Sequence, residues 1–308
     1  MTKEFYSNGK LLLTGEYAVL DGALSLAVPT TYGQSLTVKS NSSTELLWKS
    51  IDEAGICWFE CKLKLEGIQK GIQKQSIIVT KNTEIAEMLF KILFEATKLN
   101  VEFLNSNSGC EVTTKLTFPR EWGLGTSSTL INNVASWAQV DAYVLLNKTF
   151  GGSGYDIACA QHNTPIHYTL KQGISTTKEV SFTPTFKEEL FFVYLNKKQN
   201  SRDGIAQYRK SDFDTAYLIE KISRITLKMT SCTNLEDFET LIEEHENLIA
   251  NTLQIPLVKP TLFPTYKGVL KSLGAWGGDF VLATRQDALE YFPKMGYKTV
   301  IPYSKMVL

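Results

Sequence analysis

Gly123 and Gly125 lead directly into Thr126, Ser127 and Ser128, an order of residue types suited to holding an anion. Glycine lets the backbone come close to a ligand, and the first N–H groups of a helix are open donors at the positive end of its dipole. The hydroxyls can add hydrogen bonds or an oxygen ligand for Mg2+. The plainer reading, a capped helix after a tight turn, stays open at this point. No Gly-Lys-Ser/Thr closes the stretch, so it is not a Walker A loop, and the third glycine of the dinucleotide fingerprint is missing. A second glycine-rich segment, Gly151 to Gly154, precedes Asp156 and lets the backbone bring that carboxylate close to a ligand. The alternative for Asp156 is a cap on a helix starting at Ile157. Lys197, Lys198 and Arg202 crowd a polar loop that also holds Ser201. Such cations suit a phosphorylated ligand, although a charge run in a loop is commonly just solvated.

Elements must position these groups. Val112, Thr114, Leu116 and Phe118 alternate with polar residues and predict a strand ahead of the first glycine turn. Leu130, Ile131, Val134, Ala135 and Ala138 recur at helical spacing, so a helix is expected from about Ser127. Residues 4–50 and 45–80 read as strands with turns, and Thr83 to Leu99 as an amphipathic helix. Leu190 to Leu195 reads as a strand, 212–230 and 235–253 as helices, Tyr266 to Leu273 as a further helix, and Phe280 to Thr284 as a final strand. His162, His167 and His245 show no metal spacing. His245, among Glu243, Glu244 and Glu246, reads as a surface residue of its helix. A composition shift at Ser181–Lys187 divides the chain into expected domains 1–182 and 183–308. Strands and helices mix without regular βαβ alternation, so the expected class is α+β.

The balance of charge narrows the function classes. Lys+Arg and Asp+Glu both number 32 in 308 residues, so no global charge recruits nucleic acid or an acidic membrane. An anionic ligand must be held by a local site. The first residues have no apolar core of a signal peptide, and no later apolar run is long enough to span a bilayer. Five cysteines without zinc spacing point to reduced thiols in a cytoplasmic protein. The expected partner is a small-molecule substrate, with no nucleic acid and no membrane; a homodimer is left open.

Three separated segments together resemble the motifs of the GHMP kinases. Asn8-Gly-Lys-Leu11 with Gly15-Glu-Tyr-Ala-Val19 resembles their first motif. Pro119 to Ser128 is similar to their phosphate loop, and Lys271 to Asp279 to their third, glycine-rich motif. Gly15-Glu16-Tyr17, the segment Gly154 to Cys159 and Gly277-Gly278-Asp279 resemble phosphomevalonate kinases, whereas mevalonate kinases usually carry Gly-Glu-His in the first motif. Two features depart from the pattern. The acidic residue that helps hold Mg2+ in mevalonate kinase would fall near Leu145, where only Asp141 is close, and Trp276 stands where the third motif has a small residue.

The resemblance implies a two-domain fold with the active site in the interdomain cleft, using ATP and Mg2+. It implies a nucleotide site of Gly123, Leu124, Gly125, Thr126, Ser127 and Ser128, with Ser127 as Mg2+ ligand or, alternatively, a capping serine. Asp156 and Lys10 would be catalytic, the carboxylate as base or as orienter of Lys10, and the lysine as a bridge between γ-phosphoryl and acceptor. An ordinary solvated lysine is the other reading of Lys10. Glu16, Tyr17, Lys197, Ser201 and Arg202 would bind the acceptor. Phosphomevalonate is the first expectation for that acceptor and mevalonate the second. An ATP- or metabolite-binding sensor without turnover is the rival class, and the related diphosphomevalonate decarboxylase fits the first motif less well.

Overall fold

The structure is a computed structural model that describes residues 2–105, 108–199, 201–274, 276 and 278–308; the side chains of Ser201 and Arg202 lie outside the description. The chain forms two compact units, each assembled from separated segments. The first comprises Met1–Gly9, Tyr32–Arg120 and Leu124–Gln161; the second comprises Lys10–Thr31, Glu121–Gly123 and His162–Leu308. The boundary expected at 182/183 falls inside the second unit.

β1 (Thr2–Thr14) pairs with β2 (Ser25–Ser40); residues 2–9 and 32–40 of these strands belong to the first unit, where the sheet continues through β3 (Glu45–Ile51) and β4 (Cys57–Lys64). Two short helices follow, α1 (Leu65–Lys70) and α2 (Gln73–Ser76), then β5 (Ile77–Thr80), α3 (Thr83–Leu99) and β6 (Cys110–Leu116). The strand order here is β5-β4-β3-β6-β2. β6 pairs antiparallel with β2 over Gln34–Ser40 and parallel with β3. The inward residues Leu46, Trp48, Phe59, Cys61 and Leu63 alternate along β3 and β4, as one buried sheet face requires. The short helices correct the expectation of strand throughout 45–80: Gly71 at φ 70 ends α1 as a left-handed cap. α3 matches its expected span, with Asn82 rather than Thr83 capping it by accepting from the Ile85 N–H.

Three helices complete this unit: α4 (Thr126–Ala138), α5 (Ala142–Thr149) and α6 (Tyr155–Gln161). Ile131, Val134 and Ala135 of α4 and Leu89, Phe90 and Leu93 of α3 share one core with the sheet. Fully burying each large apolar side chain contributes roughly 1.5–3 kcal/mol.

In the second unit, Ser25–Ala27 of β2 pairs with β7 (Ile166–Lys171), which pairs with β8 (Ile174–Glu179). Next come β9 (Leu190–Tyr194), α7 (Ser201–Lys210), α8 (Thr215–Thr230), α9 (Leu235–Leu253) and α10 (Val258–Leu262). β10 (Leu270–Ser272), β11 (Phe280–Thr284), α11 (Ala288–Lys294), β12 (Val300–Pro302) and α12 (Tyr303–Met306) finish the chain. A second sheet runs β10-β11-β9-β12, all antiparallel. The helix expected over Tyr266–Leu273 is absent; Leu270–Ser272 is a strand zipped to Val281–Ala283. Its apolar residues face the core as β-sheet neighbours, a case where a short apolar run does not distinguish strand from helix.

Candidate active site

The first unit holds the glycine turn that opens α4. Gly125 is the N-cap of α4 at φ 97, a left-handed conformation that glycine adopts freely. The first intrahelical bond runs from the Thr129 N–H to the Gly125 carbonyl at 2.9 Å, so the N–H groups of Thr126, Ser127 and Ser128 have no acceptor within the helix. Ser128 is buried and its hydroxyl donates back to the Gly125 carbonyl at 2.9 Å. Ser127, by contrast, is exposed at the helix mouth. Of the hydroxyls expected to meet a ligand, Ser128 is therefore committed to the turn, and Ser127 is presented.

Buried amides hold α4 in place. Ser7 Oγ donates to Asn133 Oδ1 at 2.8 Å, Asn132 Nδ2 donates to Ser7 Oγ at 2.9 Å, and Asn133 Nδ2 donates to the Gln34 carbonyl at 2.9 Å. Thr129 Oγ1 adds a bond to Gln34 Oε1 at 2.9 Å. α6 is tied to the same helix by Gln161 Nε2, which donates to Asn132 Oδ1 at 2.9 Å. Asp156 stands in the first turn of α6, half-buried, with Oδ1 buried. Because α6 begins at Tyr155, Asp156 lies within the helix, and the expected cap role before Ile157 is corrected. Asp141 is spent otherwise, accepting from the N–H groups of Tyr143 and Val144 as the cap of α5, and Leu145 is fully buried.

The second unit places Gly123, Lys10, Glu16, Tyr17, Lys197 and Asp279 in one body. At Gly123, φ is 66 and a β-carbon would lie 2.6 Å from the Asp279 carboxyl carbon. The Asp279 carboxylate thus fills the space that any side chain at 123 would need. Asp279 itself takes φ 51, a conformation rare outside glycine, asparagine and aspartate. The Gln199 N–H donates to Asp279 Oδ1 at 3.2 Å, and the Asp279 N–H donates to the Lys197 carbonyl at 2.7 Å. Burial pushes the Asp279 carboxyl up from its usual range; the Gln199 bond and the charges of Lys10 and Lys198 pull it back. Lys197 and Lys198 are exposed. Trp122 packs edge-on against Phe280 at 5.4 Å, and the Tyr194 hydroxyl donates to the Glu121 carbonyl at 3.2 Å, so the turn before Gly123 is seated on β9 and β11. Asn200 and the side chains of Ser201 and Arg202 lie outside the described residues, as do Ala275 and Gly277 of the third motif.

Glu16 is 1% exposed and ion-paired to the buried Lys271, with Nζ 2.7 Å from Oε1. Lys271 also lies 3.3 Å from Glu246 Oε1, and Ser272 Oγ donates to Glu246 Oε2 at 2.8 Å. The Gly15 N–H donates to His245 Nε2 at 3.1 Å, which puts the ring proton on Nδ1. Burial, then the Lys271 charge, drives the His245 pKa well below its usual value, so the ring is neutral. His245 is fully buried, correcting its expected surface position: α9 turns His245 and Glu246 inward while Glu243 and Glu244 face out. Tyr17 has φ 60 and ψ −48, and the Ala18 N–H donates to the Glu16 carbonyl at 2.6 Å, a positive-φ γ-turn that is rare and strained. Its ring stacks on Tyr208 at 5.8 Å.

Residue type and spacing alone assign no role to Asp279, Lys271 or His245. A signal existed for Lys271, a lone cation inside the apolar run Val269 to Leu273, where only a buried partner makes lysine tolerable. None existed for His245.

Among the described residues no group of three or more His, Cys, Asp or Glu side chains could hold a metal ion, and no helix is long and apolar enough to cross a membrane. No family model matches the sequence, and no curated protein does. Solved structures do match. Methanococcus jannaschii mevalonate kinase is similar over 97% of this chain and 96% of its own, at TM-score 0.70 and 16% identity. Streptococcus pneumoniae phosphomevalonate kinase, solved with phosphomevalonate and AMPPNP, is similar over 96% and 95%, at TM-score 0.65 and 15% identity. Lactococcus lactis galactokinase with galactose is similar over 96% and 88%, at TM-score 0.65 and 12% identity. The chain has the fold of the GHMP kinase superfamily, and the likeness runs nearly end to end.

Proposed function

We propose that this chain is an ATP-dependent GHMP-type kinase that transfers the γ-phosphoryl group to a phosphorylated alcohol of the mevalonate pathway, phosphomevalonate being the first choice. The observation that carries the reading is the mouth of α4. There a left-handed Gly125 leaves the N–H groups of Thr126–Ser128 open, with Ser127 presented beside them. Phosphoryl transfer needs mainly positioning and charge stabilisation, which such donors supply. Each helix-end contact to an anion contributes roughly 0.3–1 kcal/mol, so several donors and a cation must act together.

Asp156, on the helix bonded to α4, would orient the acceptor or take its proton, and Lys10 would offset charge on the transferring group. An acceptor already carrying phosphate would meet the exposed Lys197 and Lys198. Mg2+ would neutralise the phosphate oxygens. The residues fit it: Mg2+ is usually held by one or two protein oxygens together with substrate phosphates, and Ser127 offers the protein oxygen. A cytoplasmic setting goes with the five free thiols.

The test is ADP release with a panel of phosphomevalonate, mevalonate and sugar acceptors. Lys197→Ala and Arg202→Ala should raise the KM for phosphomevalonate and leave that for ATP unchanged; equal kinetics in wild type and variants would remove the phosphomevalonate assignment. One observation favours a second reading, an ATP-binding sensor. Asp141 is consumed as a helix cap and Leu145 is buried, so no acidic second Mg2+ ligand stands there. Tight ATP binding without transfer to any acceptor would select it.

A further inference from the structure

Asp279 meets several separate segments of the second unit. Its carboxylate lies against Gly123, whose β-carbon position is only 2.6 Å away, and a β-carbon at Gly274 would lie 3.6 Å from Asp279 Oδ2. It accepts from the Gln199 N–H in the basic loop. Its backbone is locked on both sides: the Asp279 N–H donates to the Lys197 carbonyl at 2.7 Å, and the Leu195 N–H donates to the Asp279 carbonyl at 2.8 Å. A β-carbon at the neighbouring Gly278 would lie 2.8 Å from the Lys197 carbonyl, so the two segments touch backbone to backbone. Both Lys10 and Lys198 act on the carboxylate through their charge.

A carboxylate in this place is at odds with anion binding. Phosphates approaching the Gly123 turn would be repelled by it. We propose that Asp279 is a positioning residue, an internal counter-anion that braces the Gly123 turn against the basic loop and opposes phosphate there so that product can leave. The bracing requires only the fold. The part concerning product release rests on the kinase reading.

Asp279→Asn tests both parts. Asparagine is isosteric, keeps an acceptor for the Gln199 N–H and tolerates positive φ, so the backbone should stay in place. Removing one negative charge next to an anion site relieves a repulsion worth about a three- to tenfold change in affinity at the effective dielectric of a protein surface. Inorganic pyrophosphate, titrated calorimetrically, should therefore bind Asp279→Asn about three- to tenfold more tightly than wild type. The kcat for phosphoryl transfer should fall at least tenfold while the melting temperature stays close to wild type.

A merely structural aspartate would give the opposite sign, weaker pyrophosphate binding with a lowered melting temperature, and that result, or unchanged affinity, overturns the proposal. Should Asp279→Asn not fold, Asp279→Ser carries the same comparison. If wild type transfers no phosphoryl group to any acceptor, the kinase reading fails, and the pyrophosphate titration still decides the role of Asp279.

Discussion

Lys271 Nζ lies 2.7 Å from Glu16 Oε1, and both side chains are shut away from solvent. The ammonium also donates to the Ser272 carbonyl at 2.6 Å and stands 3.3 Å from Glu246. One cation thus serves two buried carboxyls, and it fastens the first-motif turn to β10. Removing one partner of a buried pair costs about 3–5 kcal/mol because the other charge is left without compensation. Lys271→Met should destabilise the protein by about that much at pH 8, and by less at pH 5, where the carboxyls can take protons instead. Urea unfolding at the two pH values checks this; an equal loss at both would mean that charge is not the cause.

Glu246 gives the pH dependence its sign. Burial pushes its carboxyl up to about 7, against the pull of Lys271 and the Ser272 hydroxyl. Between the unfolded value and about 7 the folded chain binds more protons than the unfolded one, so this group's contribution is full at acid pH and is lost as pH rises. His245, held neutral far below its ordinary value, acts oppositely, its contribution lost as pH falls below about 6.5. Glu246→Gln should flatten the decline in stability toward pH 7 and leave the acid-side loss from His245. Denaturant midpoints from pH 4.5 to 8 distinguish the two slopes.

Gly123 and Gly151 separate backbone strain from collision. Both have positive φ, 66 and 69, but a β-carbon at Gly151 would meet nothing within 4 Å, while one at Gly123 would strike Asp279. Gly151→Ala should lose about 1–2 kcal/mol from the left-handed conformation alone. Gly123→Ala should lose more and should also impair ATP binding. Melting curves and nucleotide titration of the two variants side by side provide the comparison.

Gly204 sits in α7, where alanine would ordinarily add about 1 kcal/mol of helix propensity. Its β-carbon position, however, collides with the Tyr17 hydroxyl. Tyr208 Oη donates to Asp21 Oδ2 at 2.6 Å and Arg209 Nη1 to Asp21 Oδ1 at 2.6 Å, so α7 cannot simply lift away. Gly204→Ala should therefore destabilise, and adding Tyr17→Phe should recover part of the loss. Additive effects in the double variant would argue that the two residues do not touch.

The sequence showed the elements better than the buried polar interior. α3 and β11 fall on their expected spans, and α4 begins at Thr126, one residue before the expected start. These segments carry strong local patterns: alternation, helical periodicity, and glycines at turns. The glycine turn at the start of α4 was equally legible, because a left-handed Gly125 ahead of the helix follows from residue type and order. What escaped was long-range. His245 looks like a surface residue among glutamates, because only the docking of α9 decides which of its polar residues turn inward. The apolar run of Tyr266–Leu273 predicts a helix because the strand partner of Leu270–Ser272, Val281–Ala283, lies across the third motif. Asp279 was visible as the end of a motif, but its place against Gly123 depends on a contact spanning 156 positions of chain, which no local pattern encodes.

The two consecutive asparagines of α4 carry a consequence for how the loop can vary. Asn132 and Asn133 each find a partner only at one rotation and one depth of the helix. Sliding the helix by a single residue would swing both amides away from Ser7 and Gln34 and strand them in the interior. The distance in sequence from Gly125 to Asn133 is therefore fixed, and an insertion there should be rejected. The turn at Gly151–Gly152, where an added β-carbon would meet nothing within 4 Å, is where this chain has room to lengthen.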